Sequence, residues 1–295
     1  MSGRIVVGYT ATDAGADALA LGARLAAASD SVLDVVIVLP SDERSVITPP
    51  DAGYDRHLRE TATGWLERAG ESLQAAVTHR PHLRYAESFA EGLVAAADEF
   101  EATHIVVGAA NGGIRGRHRL GTVASELMHY SDVPVVLAPE GAREVPVTAG
   151  VSRVTAAIGT RPGGDVLLAE AIALAVATGA PLRLLSLAAV DMPVGVDTGL
   201  IRLAGRSHAE TVLGQAHAAL PAGIEAEVVT ASGADIEEAV QAIDWLPAEV
   251  AMVGSSRLAQ PRRLFLGSTA AKMLHVLPVP MIVVPRSRAA EGATR

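Results

Sequence analysis

The sequence predicts two tandem doubly wound α/β domains, each a five-stranded, mainly parallel sheet with helices on both faces. Three observations carry this. First, the segment His104 to Pro139 matches Val250 to Pro285 without a gap: Gly108 pairs with Gly254 and Gly121 with Gly267, at a constant offset of 146 residues (254 − 108). Second, short β-branched runs alternate with longer Ala/Leu segments of helical period, which is the pattern of βαβ units. Third, runs such as Ile105-Val106-Val107 and Ile282-Val283-Val284 are apolar without alternation, so helices must cover both faces of the sheet.

The elements follow in order. In copy one, strands are expected near 4–9, 32–39, 84–87, 104–108 and 134–138, with helices near 14–29, 54–79, 90–101 and 121–130. In copy two, strands are expected near 153–158, 182–188, 225–230, 249–253 and 280–284, with helices near 165–178, 198–219, 235–243 and 267–276. Pro139, Gly141, Pro146 and Gly150 break periodicity between Glu140 and Ser152, which places the boundary there. The domains are read as 1–145 and 146–295. The apolar fifth strands, one per copy, are expected to pair with each other or with a neighbour, because an open sheet edge must be paired or covered.

Composition narrows the function. The 295 residues are 49% hydrophobic and 19% charged, too apolar for disorder and too evenly interrupted for a membrane span. A net charge of −9 and only 3% aromatics argue against nucleic-acid partners, which need counterion-displacing basic surfaces or stacking platforms. Cysteine is absent, which excludes thiolate chemistry and Cys-based metal sites. Met1-Ser2-Gly3-Arg4 runs straight into Ile5-Val6-Val7, leaving no room for a signal peptide; a cytoplasmic protein is expected.

Ligands of such sheets bind beyond the carboxyl ends of the strands, near converging helix N-termini. The loop from Gly108 to Thr122 holds four glycines, three arginines and a histidine before the helix at Gly121-Thr122. Glycines let backbone N–H groups approach an anion, and the helix dipole favours negative charge there. The equivalent loop, Gly254 to Ser268, has the same length and fewer glycines. Polyphosphate is the natural guest of the first; a flexible surface loop is the competing reading. Thr122 and Ser268 fit first-turn caps as well as phosphate donors. His79 and His82 flank Arg80-Pro81 in an expected turn with no third metal ligand in sequence. His129 and His275 recur at matching helix C-termini, where a cation complements the dipole.

At these residues both copies resemble universal stress protein domains, whose nucleotide-binding members carry G-x2-G-x9-G-[ST] between fourth strand and fourth helix; the Rossmann-like architecture is what the resemblance implies. Copy one reads Gly108-x2-Asn111-x9-Gly121-Thr122 and copy two Gly254-x2-Arg257-x9-Gly267-Ser268. Val133-Pro134-Val135-Val136 and Val279-Pro280-Met281-Ile282 resemble the family's last strand. The resemblance implies a regulatory protein of the stress response that binds an adenine nucleotide, ATP, with Mg2+ accompanying it and with little or no hydrolysis. It also implies self-association through the fifth strands. The site residues it marks are Thr10, Val38, Gly108, Asn111, Gly112, Gly113, Gly121 and Thr122 in copy one, and Gly254, Arg257, Gly267 and Ser268 in copy two. Val38, and Leu187 in copy two, fall where family backbone meets adenine.

Two departures matter. The family's Asp after the first strand is Thr10 here and Gly159 or Thr160 in copy two, and the second motif glycine is Asn111 or Arg257. Asn adopts left-handed backbone more readily than Arg, so copy one is expected to hold the better site. The alternative is an interaction scaffold of the same family that binds no nucleotide. Enzyme readings find little: the single lysine, Lys272, follows Ala271, so there is no phosphate-loop lysine, and neither G-x-S-x-G nor a first-strand G-x-G-x-x-G occurs.

Overall fold

The computed structural model describes residues 3–41, 52–73, 76–109, 120–159, 163–189, 199–255 and 266–285. Copy one runs β1 (Arg4–Gly8), α1 (Asp13–Ala28), β2 (Val32–Pro40), α2 (Ala52–Leu73), β3 (His79–Ala86), α3 (Phe89–Glu99), β4 (His104–Gly108), α4 (Thr122–Tyr130) and β5 (Val135–Ala138). Copy two repeats it with β6 (Val154–Ala157), α5 (Gly164–Thr178), β7 (Leu182–Ala189), α6 (Gly199–Ala218), β8 (Ala226–Gly233), α7 (Ile236–Gln241), β9 (Val250–Gly254), α8 (Ser268–Val276) and β10 (Met281–Val284). The strands form one ten-stranded sheet in the order β3-β2-β1-β4-β5-β10-β9-β6-β7-β8. Every pairing is parallel except β5 with β10, which is antiparallel with Val136 opposite Ile282.

Register repeats between the copies. Ile5 pairs with Leu33 and Val154 with Leu182, an offset of 149; Ile5 also pairs with His104 and Val154 with Val250, an offset of 146. Copy two therefore lost three residues between its second and fourth strands without shifting the sheet. A one-residue register change would have turned each strand's faces over.

Side chains alternate between two cores, as strand pleating requires. Ile5, Val7, Val35, Val106, Val136, Val154, Met252 and Ile282 face α1, α2, α5 and α6. Val6, Val36, Ile105, Val135, Val253, Met281 and Val283 face α3, α4, α7 and α8. Both cores run through the β5–β10 seam, so one apolar interior serves both copies. The helix starts repeat as well. Ser88 caps Glu91 N–H while Glu91 accepts from Glu87 N–H, and Asp235 caps Glu238 N–H while Glu238 accepts from Ala234 N–H; each is a reciprocal box that fixes where the helix begins.

Two expected elements differ. The turn read at His79 to His82 is the start of the edge strand β3, and the helix expected to reach residue 79 ends at Leu73. Leu33 N–H donates to Thr78 O, so alternate residues 80 and 82 also direct their backbone groups to β2. Pro81, between them, turns its missing N–H to the open edge, where proline costs no ladder bond.

Between β5 and β6 the chain makes two 3-10 turns, Ala142–Glu144 and Val147–Ala149. The buried Asp17 of α1 accepts from Gly141 and Arg143 N–H, and the Arg143 side chain reaches Asp13. That pins the connection to α1.

Candidate functional site

Strand order reverses beside β1 in copy one and beside β6 in copy two, because the next strand in sequence lies on one side and β4 or β9 on the other. Crevices open there beyond the strand ends. In copy two the crevice is a cavity of about 240 Å³ walled by the ends of β6, β7 and β9 and by the first turns of α5 and α8. Gly254, Ser255, Leu187, Gly163 and Gly267 line it.

Backbone geometry aims polar groups into this cavity. Ile158 N–H donates to Leu185 O, so Leu187, two residues on, directs its N–H and C=O the same way but past the end of β6. In copy one Tyr9 N–H donates to Val36 O, and by the same alternation Val38 points its backbone groups past β1. The Val38 side chain is buried against α3 instead. At the two expected adenine-side positions, Val38 and Leu187, the backbone groups thus point past the end of the neighbouring strand.

Helix termini supply donors. Gly163 and Gly267, the N-cap residues of α5 and α8, make no side-chain capping bond, so the first-turn N–H groups of two helices are left for an anion. Ser255 is only 5% exposed and its Oγ has no hydrogen-bond partner. A buried hydroxyl without a partner loses its hydration for nothing in return, and Ser255 is one of the residues in the cavity wall.

The two glycines that open the motif do different work. A Cβ on Gly108 would collide with the Ala14 carbonyl, because the start of α1 lies directly on the end of β4. A Cβ on Gly254 would meet only Leu167 Cδ2, at 4.0 Å. The chain from Ile5 to Leu33 is as long as that from Val154 to Leu182, but the helix begins later in copy two: residues 9–12 join β1 to α1 and residues 158–163 join β6 to α5, so α5 stands back. In copy one Thr12 caps Gly15 N–H and bonds to the exposed Thr10 hydroxyl, so the donors of α1 are partly spent internally. Gly121 caps α4 without a side-chain bond, as Gly267 does α8.

The structure therefore gathers Gly254 and Gly267 at one cavity, with Ser268 opening α8 beside them. Thr269, rather than Ser268, is the first-turn hydroxyl that lines it. Asn111, Gly112, Gly113 and Arg257 lie outside the described residues. Ser255, Thr269 and the Gly163-Gly164 pair were not singled out from the sequence; the glycine pair just ahead of an Ala/Leu helix was the available signal. Among the described residues no Asp, Glu, Lys or Arg lines the cavity, and no cluster of His, Asp and Glu could hold a metal ion.

The sequence model of the universal stress protein family matches residues 1–139 and 150–285. The chain belongs to the universal stress protein family. Universal stress proteins of Mycobacterium tuberculosis (strain ATCC 25618 / H37Rv) and Mycobacterium bovis are each 28% identical to it, over 95% of this chain and 99% of their own length. The crystal structure of a universal stress protein from Archaeoglobus fulgidus superposes with a TM-score of 0.68, at 20% identity, over 97% of this chain and 100% of that one. A putative universal stress protein from Pseudomonas aeruginosa reaches a TM-score of 0.57 at 16% identity. Both share the fold of this universal stress protein. Among the described residues no helix is long and apolar enough to cross a membrane.

Proposed function

We propose that this chain is a regulatory module of the stress response that binds an adenine nucleotide, ATP, without a built hydrolytic apparatus, and that the copy-two crevice is its principal site. The observation that carries this is the unpartnered, buried Ser255 Oγ beside two helix N-termini without side-chain caps, at a glycine whose Cβ direction is open. Phosphate oxygens accept from a hydroxyl and from helix N–H groups alike, and the open glycine leaves room for them. In this reading the Leu187 backbone pairs with the base and the Thr269 hydroxyl meets the phosphates; that both line the cavity supports it. With no carboxylate in the described lining, Mg2+ fits only as a companion of the phosphates and their water, so it belongs to the nucleotide more than to the protein. An affinity near micromolar, about −8 kcal/mol, suits a site that lacks the family's first-strand Asp.

The sequence ranks copy one first by its glycines; the described geometry favours copy two. Heat-denaturing the purified protein and chromatographing the released small molecules tests carriage of nucleotide from the cell, and calorimetric titration of ATP tests binding directly. No binding by either route leaves the scaffold reading. That reading draws its support from copy one, where α1 packs onto Gly108 and caps itself.

A further inference from the structure

The two copies treat their first helix differently. On α5, Val166, Ala169, Ala173, Val176 and Ala177 share one face at spacings of three and four. All but the half-buried Val166 are exposed, Val176 by 62%. A helix that is apolar all round belongs against a partner on every side.

Copy one shows what lies on that face. The matching positions of α1, 149 residues earlier, include Asp17, Arg24 and Ala28, and the first two are each 1% exposed. The connection after β5 runs along them. Asp17 accepts from Gly141 and Arg143 N–H, the Arg143 side chain reaches Asp13 in the first turn of α1, and Gly150 stands beside Ala28. Ala142 and Val147 of the connection join the same core as α1.

The chain leaving β10 arrives at the same place on α5. Val284 pairs with Gly254 as Ala138 does with Gly108, and Ser255 N–H donates to Val284 O as Ala109 N–H does to Ala138 O. Pro285 matches Pro139, and Arg286-Ser287-Arg288-Ala289-Ala290-Glu291-Gly292-Ala293-Thr294-Arg295 follows. These residues lie outside the described ones. They carry three arginines against one glutamate, and alanine is their only apolar side chain. Helix α5 carries Asp165 in its first turn, Glu170 one turn on, and no basic residue.

We propose that residues 286–295 lie along the exposed face of α5 as a strap, the counterpart of the connection on α1. Arg288 pairs with Asp165 as Arg143 does with Asp13, and Ala289, Ala290 and Ala293 cover the alanines of the face. A second copy of the chain is the competing occupant. The face is too small for it: a 15-residue helix is about 22 Å long and about 10 Å wide, well short of the roughly 800 Å² that each partner gives a stable interface. A tethered strap acts at an effective concentration of about millimolar, so a modest area suffices. Gly163, Gly164 and Leu167 at the start of α5 line the copy-two cavity. Docking therefore steadies one wall of the nucleotide site, a consequence that rests on that reading while the strap itself does not.

The chain has no cysteine, so the thiol of Ala173→Cys reports on this face alone. Its reaction with a maleimide is timed in the full chain and in the same variant lacking residues 286–295, with no nucleotide added, so the outcome is independent of the nucleotide reading. The expected result is a rate about tenfold higher without the strap, at every protein concentration, and no change for a control thiol, Val228→Cys, on the exposed β8 edge. Equal rates with and without the segment overturn the proposal. Protection that grows with protein concentration assigns the face to a second copy and overturns it too, as does an equal acceleration of the control thiol. Should the shortened chain fail to fold, Arg286→Glu with Arg288→Glu in the full-length Ala173→Cys protein decides. The rate should rise several-fold, and an unchanged rate overturns the proposal.

Discussion

Asp34 and Arg183 occupy the same place in the two copies and carry opposite charges. Asp34 stands opposite Val6 in the β1–β2 ladder, and Arg183 opposite Thr155 in the β6–β7 ladder. Both are buried. Each copy compensates in its own way. Arg4 and His82 close on Asp34 at 2.6 and 2.8 Å, whereas Glu249 takes Arg183 at 2.5 Å and Arg153 at 2.8 Å. The Asp34 contacts hold the Arg4 guanidinium above its ordinary value, while burial lowers Arg183. The two copies differ around one buried polar centre: the matched Arg4 and Arg153 are present in both, and where Asp34 becomes Arg183 a carboxylate, Glu249, stands between the two arginines.

Removing one partner of either centre should cost more than any exposed pair. Glu249→Ala leaves Arg183 buried without its carboxylate and should lower stability by about 3–5 kcal/mol. Glu227→Ala, which removes only the exposed partner of Arg153, should change it by less than about 1 kcal/mol. Urea unfolding of the two variants checks this; equal losses would show that burial is not the deciding factor.

Gly108→Ala and Gly254→Ala should part ways. The first drives a Cβ into the Ala14 carbonyl and should destabilise the fold by about 1–3 kcal/mol or more. The second should leave stability within about 1 kcal/mol, and the bulkier Gly254→Val should abolish ATP binding by filling the crevice. Denaturation and calorimetry on the same samples separate packing from binding.

Gly121→Val and Gly267→Val rank the copies. Blocking the α8 N-terminus removes charge-assisted hydrogen bonds worth about 1.5–3 kcal/mol each, so Gly267→Val should lose most of the calorimetric signal and Gly121→Val less. The reverse order would return the principal site to copy one. Chelating Mg2+ should weaken ATP binding without eliminating it, because no protein carboxylate in the described lining depends on the ion.

The antiparallel seam predicts an assembly difference. In the whole chain β5 and β10 cover each other, and the sheet edges are β3 and β8. Residues 1–145 expressed alone would expose Val135 to Ala138, a buried apolar strand, as an unpaired edge. That fragment should dimerise where the full chain at equal concentration does not; light scattering after size-exclusion chromatography reads the masses.

The repeat, the strand and helix alternation and the motif spacing were legible in the sequence because each is local or periodic: a glycine offset and a β-branched run keep their meaning wherever the chain goes. The β3 edge was misread for a physical reason. Pro81 signals a turn unless the strand lies at an edge with its N–H side outward, and strand order is a property of the sheet. Ser255 was overlooked for a similar one, since a serine after Gly254 looks like any loop hydroxyl until burial removes its water.

The sequence by itself determined that the chain has two copies of one α/β unit, and where in each copy the glycine motif between fourth strand and fourth helix falls. Tertiary structure alone decided that the fifth strands pair antiparallel within one chain, that α1 closes onto Gly108 while α5 stands back from Gly254, and that Arg24 is buried where its counterpart Ala173 is exposed. These are outcomes of packing between segments far apart in the chain: a helix that starts two residues later in a segment of equal length, or one side chain at a junction, changes a cavity without changing any local pattern.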